Sequence, residues 1–344
     1  MSTVLQIFAS NQFSARVLTE VINVVPNNVN KIGNMGLFPV RPVPTTYVRL
    51  AYRDGEITIL PVRERGAPST KNTRRGPKFI HFDIPHIPHG DAVMALDIQN
   101  RVRLGEPGAF ERAQDLVNEV LENMTTKHYR TLEHMRVGAI KGEIIDADGT
   151  VIYDLFDEFG ITQKVVDFDL GNANSDVSAK IVEVLRHIED NLNGETLSGV
   201  RALCSREFFD AFISHPKVKE AYDKYASAQE PLRNDVRKGF VHKGVVWEEY
   251  HDVFSYLQDD GSSVSRRAVA AGDCHFVPLG TTATQTYTAP PDFLDDANIA
   301  PPAGKLMYAK QERMKFDKGI EIHTESNPLP IVKRPALLVK GTLT

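Results

Sequence analysis

The stretch PGAFERAQDLVNEVLENMTTKHYRTLEHMRVGAIKGEIIDADGTVIYDLF, residues 107–156, decides how the chain folds. Its first part carries apolar residues at steps of three and four, the spacing of one face of an α-helix. These apolar positions are Phe110, Ala113, Leu116, Val117, Val120, Leu121, Met124, Leu132 and Met135. Proline suits a first helical turn and glycine a last one, so we predict a long helix from Pro107 that stops at Gly138 or Gly142. At 1.5 Å per residue this helix would be about 45 Å long.

Two β-hairpins are predicted from Asp-Gly pairs, which are preferred in tight turns. The first, TYVRLAYRDGEITILPVRER, covers residues 46–65 and turns at Asp54-Gly55. The second follows the long helix directly, turns at Asp148-Gly149 and places Ile145 opposite Ile152. We expect this second hairpin to lie alongside the long helix.

The first hairpin is predicted to need a partner. Closing on Asp54-Gly55 puts Val48, Leu50, Tyr52, Ile57 and Ile59 on one apolar face, and an isolated two-stranded hairpin is only marginally stable in water. We therefore expect a neighbouring copy of the chain to cover that face, with no cover from its own subunit. The predicted inter-subunit contact residues are Val48, Leu50, Tyr52, Arg53, Glu56, Ile57, Ile59, Arg63 and Arg65.

The rest of the chain predicts an α+β protein. We expect a short arm helix near Ser14 to Val24, and between 175 and 251 an alternation of helices and strands. The residues from Thr281 to Lys305 are rich in Thr, Ala and Pro with little periodicity, which predicts a long surface loop. Strand-like alternation returns in the closing segment.

Composition excludes several classes of protein. With 42% hydrophobic and 25% charged residues, the 344-residue chain is not disordered, collagenous or a coiled coil. No apolar run approaches the roughly 20 residues needed to cross a bilayer. Two cysteines, Cys204 and Cys274, form no disulfide framework and are expected to be buried apolar residues. A net charge of -5 argues against a surface built to bind nucleic acid, although the basic loop from Arg63 to Lys78 could contact protein or DNA.

Motifs for catalysis are scarce. The common phosphate-binding loop, dinucleotide, zinc-protease and serine-hydrolase motifs are all missing from the sequence. The segment HFDIPHIPHGD supplies His81, Asp83, His86, His89 and Asp91, groups that suit a transition metal. A metal-dependent enzyme centred on His81, His86 and His89 is therefore the alternative function, while a polar connector is the preferred interpretation of the segment.

The order of predicted elements resembles the Hong Kong 97-type capsid fold of tailed bacteriophages. Five short motifs follow in the order found in the lambda-type major capsid protein family: Val277-Pro278-Leu279-Gly280, Tyr287-Thr288-Ala289-Pro290, Tyr308-Ala309-Lys310, Ser326-Asn327-Pro328-Leu329-Pro330 and Arg334-Pro335. The resemblance implies five regions. They are an N-terminal arm (1–43), an extended hairpin loop with its connector (44–90), a peripheral domain with a spine helix and hairpin (91–170), an axial domain (171–307) and closing strands that return to the peripheral domain (308–344).

The same resemblance implies a function in assembly. A protein of this family forms the hexamers and pentamers of the icosahedral head shell around double-stranded DNA, and it carries no catalytic, cofactor or metal residues. Its partners would be further copies of itself, the portal and weakly held packaged DNA, whereas a decoration protein is left open. A separate scaffolding protein is expected because no long charged helical segment precedes the arm. The chain would be made in the host cytoplasm and end up in the virion, with no membrane contact.

Overall fold

The computed structural model describes residues 14–24, 31–52, 78–100, 109–226, 237, 239–258, 260–297, 299–302 and 305–344. The helices are α1 (Ala15–Val24), α2 (Lys31–Asn34), α3 (Ala95–Asn100), α4 (Ala109–Lys141), α5 (Leu155–Phe159), α6 (Val177–Asp190), α7 (Arg206–Ser214) and α8 (Pro216–Ala226). The first nine strands are β1 (Val40–Pro42), β2 (Tyr47–Tyr52), β3 (Lys78–Asp83), β4 (Ile87–Met94), β5 (Glu143–Ile145), β6 (Val151–Asp154), β7 (Lys164–Asp167), β8 (Gly199–Cys204) and β9 (Phe240–His242). The others are β10 (Val245–Glu249), β11 (Val253–Leu257), β12 (Ser263–Arg267), β13 (Asp273–Leu279), β14 (Thr284–Thr288), β15 (Tyr308–Arg313), β16 (Gly319–Ser326), β17 (Pro328–Val332) and β18 (Val339–Thr342).

These elements form two compact units, each assembled from separate parts of the chain. The first unit takes the described parts of Met1–Val48, Phe82–Arg136 and Gln285–Ile331. The second takes the described parts of Arg49–His81, Val137–Thr284 and Val332–Thr344. The chain passes from one unit to the other inside α4, between Arg136 and Val137, and inside β14, between Thr284 and Gln285. The boundaries predicted from the sequence for the axial domain were 171 and 307. The last strand, β18, belongs to the second unit.

The first unit packs one face of α4 and α1 against an antiparallel sheet. This sheet has the order β15-β16-β4. Its apolar core contains Leu18, Ile22, Val93, Leu116, Val117, Leu121, Met124, Tyr129, Met307, Ala309, Ile320 and Ile322. Leu116, Val117, Leu121 and Met124 of this set belong to the predicted apolar stripe of α4, so the described part of that stripe contributes to the core. A second sheet of the unit has the order β1-β14-β17.

The second unit is built on a six-stranded mixed sheet with the order β7-β18-β13-β8-β10-β9. Helices α6, α7 and α8 contribute Ile181, Phe208, Phe212 and Val218 to its buried core. Aromatic rings dominate this core, and the ring centroids of Phe212 and Trp247 stack 3.9 Å apart. Cys204 and Cys274 are free and fully buried on paired strands of the sheet, as their small apolar character predicted.

The long helix is confirmed and runs for 33 residues, from Ala109 to Lys141. At 1.5 Å per residue it is about 50 Å long. It ends where Gly142 adopts a φ of 95°, in the left-handed region that favours glycine. Gly138 lets the following hairpin lie directly against the helix, because a Cβ atom there would come within 2.4 Å of the Glu143 carbonyl oxygen.

Two local predictions were wrong. In the β5–β6 hairpin, Ile145 pairs with Val151 and not with Ile152, since a β-bulge follows Ile144. The turn spans Asp146 to Gly149, with the Gly149 amide donating to the Asp146 carbonyl over 3.0 Å, so Asp148-Gly149 is only its second half.

The loop predicted from Thr281 to Lys305 contains the strand β14, which lies in the middle of its sheet. Thr284, Thr286 and Thr288 are buried there, and their polar side chains concealed the strand in the sequence.

No helix in the described part of the chain combines the length and apolarity that a membrane span requires.

Gly142 provides a test of how the helix joins the hairpin. Its Cβ would lie 2.0 Å from a ring carbon of Phe156, so Gly142→Ala combines left-handed strain of about 1–2 kcal/mol with overpacking of about 1–3 kcal/mol. Gly160 is the matched control, because it has a φ of 65° with no atom within 4 Å of its Cβ position. We expect denaturant unfolding of the unassembled subunit to show a larger loss of stability for Gly142→Ala than for Gly160→Ala. Equal losses would contradict this close approach.

Candidate functional site

The ribbon formed by β2 and β3 carries the described part of the predicted contact surface. The two strands form their own sheet, and the Ile84 amide donates to the Thr46 carbonyl over 2.8 Å at its base. Val48, Ile80 and Phe82 are buried, whereas Phe79 is 63% exposed. Since side chains alternate along a strand, one face of the ribbon packs on its own subunit and the other faces outward.

The predicted contact residues therefore fall into three groups. Val48 is buried by its own subunit, so the expectation that this face has no cover there is wrong at that position. Leu50 is half-buried, and Tyr52 is the last residue of β2. The remaining predicted contact residues, Arg53, Glu56, Ile57, Ile59, Arg63 and Arg65, lie outside the described residues, as does the Asp54-Gly55 turn.

The histidine-rich segment does not form a metal site in the structure. His81 and Asp83 are exposed on β3, alternating with the buried Ile80 and Phe82. Further on, His86 Nδ1 lies 2.9 Å from Asn327 Oδ1, and His89 Nε2 lies 3.2 Å from the Lys127 ammonium, which would repel a cation. Among the described residues, no three His, Cys, Asp or Glu side chains form a group that could hold a metal ion. The geometry gives the metal-enzyme alternative no support.

His128 on α4 is the centre of a buried polar cluster instead. Its Nδ1 lies 2.7 Å from Ser326 Oγ and its Nε2 lies 2.9 Å from Thr324 Oγ1. The Thr324 hydroxyl donates in turn to the His89 carbonyl oxygen over 3.0 Å. Burial, with help from the nearby His89 and His323, lowers the pKa of His128 to about 4. A neutral imidazole thus joins the long helix to both β16 and β4.

The residues that follow Thr324 extend this cluster to a surface loop. Glu325 Oε2 accepts the Asp292 amide over 2.7 Å, and the Asn327 amide group donates to the Pro290 carbonyl over 2.6 Å. Both side chains are buried. In the sequence, Ser326-Asn327-Pro328 is recognisable only as part of a motif, and its structural role was not predicted. A run of four polar residues between apolar strand segments was the available signal.

The N-terminal arm is attached to the first unit at two places. The buried Glu133 carboxylate on α4 accepts the amides of Ile32 over 2.6 Å and Gly33 over 3.1 Å. On α1, the Asn23 side chain donates to the Met307 carbonyl over 2.8 Å and accepts the Leu306 amide over 2.9 Å. Buried polar groups cost free energy unless they are hydrogen-bonded, so these contacts fix where the arm lies on the unit.

Two buried histidines predict that acid destabilises the subunit. Burial, with the charges of Lys141 and Lys340, lowers the pKa of His275 to about 3, and His128 has a pKa of about 4. Each takes up a proton near pH 6.5 once the chain unfolds. The unfolded state thus binds more protons below pH 6.5, and stability is lost as the pH falls toward 4, by up to about 1.4 kcal/mol per pH unit for each group.

Urea unfolding of the unassembled subunit at several pH values measures this loss. His128→Gln keeps hydrogen-bonding capacity without the titration, so its stability should depend less steeply on pH than that of the parent. Identical slopes for the parent and His128→Gln would disprove the role given to His128.

Comparison with known proteins gives concordant matches over the whole fold. A family model described as phage major capsid protein E matches residues 14–343. The major capsid protein of Pseudomonas phage KPP10 is 28% identical over 347 residues, covering 96% of this chain and 97% of that protein. That of Salmonella phage Felix O1 is 26% identical over 361 residues, covering 96% of each.

Solved structures of low sequence identity show the same fold. A putative capsid protein of a prophage from E. coli CFT073 superimposes with a TM-score of 0.58 at 12% identity, covering 96% of this chain and 99% of that one. The mature capsid protein of bacteriophage PhiM1 gives a TM-score of 0.53 at 12% identity, covering 90% of this chain and 86% of that one. The α+β fold predicted from the sequence is therefore the fold of phage capsid proteins.

Proposed function

Because the chain belongs to the phage major capsid protein E family and forms the shell of a tailed-phage head, we propose that its β2–β3 ribbon is a contact between neighbouring subunits. The family match over residues 14–343 carries the function, and the Hong Kong 97-type fold agrees with it. The observation that favours the ribbon is its outward face, where the Phe79 side chain is 63% exposed. Leu50 lies on the other face, which it shares with the buried Val48, and is only half-buried there. Both apolar side chains would gain stabilisation if another protein covered them.

The contact extends, in this proposal, over the predicted residues Leu50, Tyr52, Arg53, Glu56, Ile57, Ile59, Arg63 and Arg65. We assign the first unit to the peripheral domain and the second to the axial domain, since the first unit contains most of the long helix that corresponds to the predicted spine helix. The narrower lambda-type assignment stays a prediction.

The roles beyond shell formation are also proposals. We propose a purely structural protein that contains no catalytic centre and assembles in the host cytoplasm with a separate scaffolding protein and the portal. A net charge of -5 and a pI near 6.1 favour weak contact with packaged DNA, because a strongly basic surface is what holds nucleic acid firmly. Whether a decoration protein binds is left to experiment.

Shell formation itself predicts the behaviour of the expressed protein. We expect it to sediment as capsomers or closed shells, particularly when it is produced together with its scaffolding partner. Light scattering and negative-stain electron microscopy of the sedimenting fraction provide the measurement. A protein that stays monomeric at high concentration under both conditions would contradict the function.

The ribbon is tested by Leu50→Asp. Burying a leucine stabilises a contact by about 1.5–3 kcal/mol, and a buried carboxylate adds a desolvation cost, so each equivalent contact in a shell should weaken. We expect a subunit that still folds, with thermal unfolding lowered less than by a substitution of the buried Val48, and a severe loss of shells. Phe79→Asp, on the outward face, should lower the yield of shells without a loss of subunit stability.

Val48→Asp provides the contrast. Val48 is buried in its own subunit, so this substitution should unfold the monomer and not merely prevent assembly. If Leu50→Asp also unfolds the monomer, Leu50 belongs to the subunit core and the inter-subunit assignment of the ribbon is wrong.

A further inference from the structure

The turn between β15 and β16, here the hairpin tip (residues 314–318), presents an aromatic ring to solvent. Phe316 is 89% exposed and has a φ of 62°, and Asp317 follows with a φ of 56°. Bulky L-residues rarely adopt this left-handed conformation, and such backbone persists where surrounding structure enforces it. Here Met314 donates its amide to the Gly319 carbonyl over 3.0 Å, and Arg313 forms an ion pair with Asp317. The fold thus holds Phe316 outward in an uncommon conformation.

Other apolar side chains lie beside the tip. The Ala95 amide donates to the Lys318 carbonyl over 2.9 Å, which holds the end of β4 and the start of α3 against it. Met94 is 36% exposed and Leu96 is 62% exposed. Lys315 and Lys318 are exposed on the tip itself. The tip is therefore an apolar projection with a cationic rim.

A loop of opposite charge lies elsewhere in the same unit. The acidic loop, residues 291–296, reads Pro-Asp-Phe-Leu-Asp-Asp and places Leu294, 96% exposed, among three carboxylates. The loop is well anchored, since the Lys310 ammonium lies 3.2 Å from Asp295 and 4.3 Å from the centre of the Phe293 ring. An exposed leucine with an acidic surround complements an exposed phenylalanine with a basic one, both in hydrophobicity and in charge.

The two side chains do not cover each other within one subunit, since Phe316 is 89% exposed and Leu294 is 96% exposed. Lys310 contacts the acidic loop, and β15 continues in extended pairing with β16 to Arg313 before the tip begins. Three strand residues add about 10 Å between Lys310 and the tip. A contact that buries both side chains would therefore join different copies.

We propose that the hairpin tip of one subunit docks on the acidic loop of a neighbouring subunit, with Phe316 against Leu294 and Lys315 and Lys318 facing Asp292 and Asp295. The inference rests on the shell-forming function and adds a second surface to it. Since the two patches differ, the contact is head-to-tail, and a repeated head-to-tail contact closes into a ring or continues through a lattice.

Engineered cysteines test the proximity. The native cysteines are fully buried, so Phe316→Cys with Leu294→Cys places the only accessible thiols of the described residues at the two patches. Shells of this double variant, oxidised with diamide, should give a ladder of covalent multimers on a denaturing gel that collapses on reduction. Each single variant should remain monomeric. Intact shells of the double variant that give no ladder would overturn the proposal, and multimers from Phe316→Cys alone would replace it with a tip-to-tip contact.

Charge reversal tests the pairing of the hairpin tip with the acidic loop even if the cysteine variants assemble poorly. Lys315→Glu with Lys318→Glu, and separately Asp292→Lys, should each lower the yield of shells at least tenfold, while Asp295 is kept because its ion pair with Lys310 anchors the loop. The variant with all three reversals should recover much of the lost yield. Absence of any loss, or losses without recovery, would refute the pairing.

Phe316→Gly separates assembly from folding. Glycine adopts the left-handed conformation freely, so the melting temperature of the subunit should be unchanged or higher while the yield of shells falls at least tenfold. A lower melting temperature would indicate that Phe316 stabilises its own subunit. The parent protein is the reference throughout: a parent that forms no shells would contradict the proposed function, whereas a parent that forms shells without the tip contact would contradict only this inference.

Discussion

The polar side chains buried along the long helix constrain the rest of the first unit. A helix of 33 residues that is covered along much of one side has to place some polar groups away from water, and such groups are stable only when they are hydrogen-bonded. The Glu133 carboxylate accepts hydrogen bonds from two backbone amides of the arm. The His128 ring forms hydrogen bonds with two hydroxyl groups of β16. Since each partner comes from a distant part of the sequence, these bonds set the position of the arm and the sheet on the helix. Apolar packing supplies most of the stabilisation, and the buried polar contacts select one arrangement.

Regular periodicity made the long helix predictable, and the same reasoning placed α1 and the alternation of helices and strands between 175 and 251. The prediction of elements from periodicity failed where buried positions carry polar side chains. The strand β14 carries threonines at its buried positions, so its composition resembled a loop. The β5–β6 register was missed because the bulge after Ile144 depends on the geometry of a longer turn and not on the Asp148-Gly149 pair alone.

The candidate site was less predictable than the fold, because its contacts join residues that are far apart in the chain. His86 and Asn327 are 241 positions apart and nevertheless hydrogen-bond, so a histidine that resembled a metal ligand in the sequence serves a structural contact. Val48 was expected to face a neighbour, yet it is covered by its own subunit. A strand has two faces, and the sequence identifies which residues share a face without identifying what lies against it.

A shell protein has to remain soluble as a subunit and still adhere to copies of itself. Large apolar patches would satisfy only the second requirement, since they promote unspecific association. Of the large apolar side chains that the structure describes, Leu294 and Phe316 are the most exposed, and each lies next to charged residues in a small patch. Any one contact of this size is weak, but a subunit that closes a ring makes several at once, and the later ones form at high effective concentration. Weak individual contacts also dissociate quickly, so a wrongly placed subunit can leave before its neighbours enclose it. The small size of each apolar projection therefore favours accurate assembly as well as solubility.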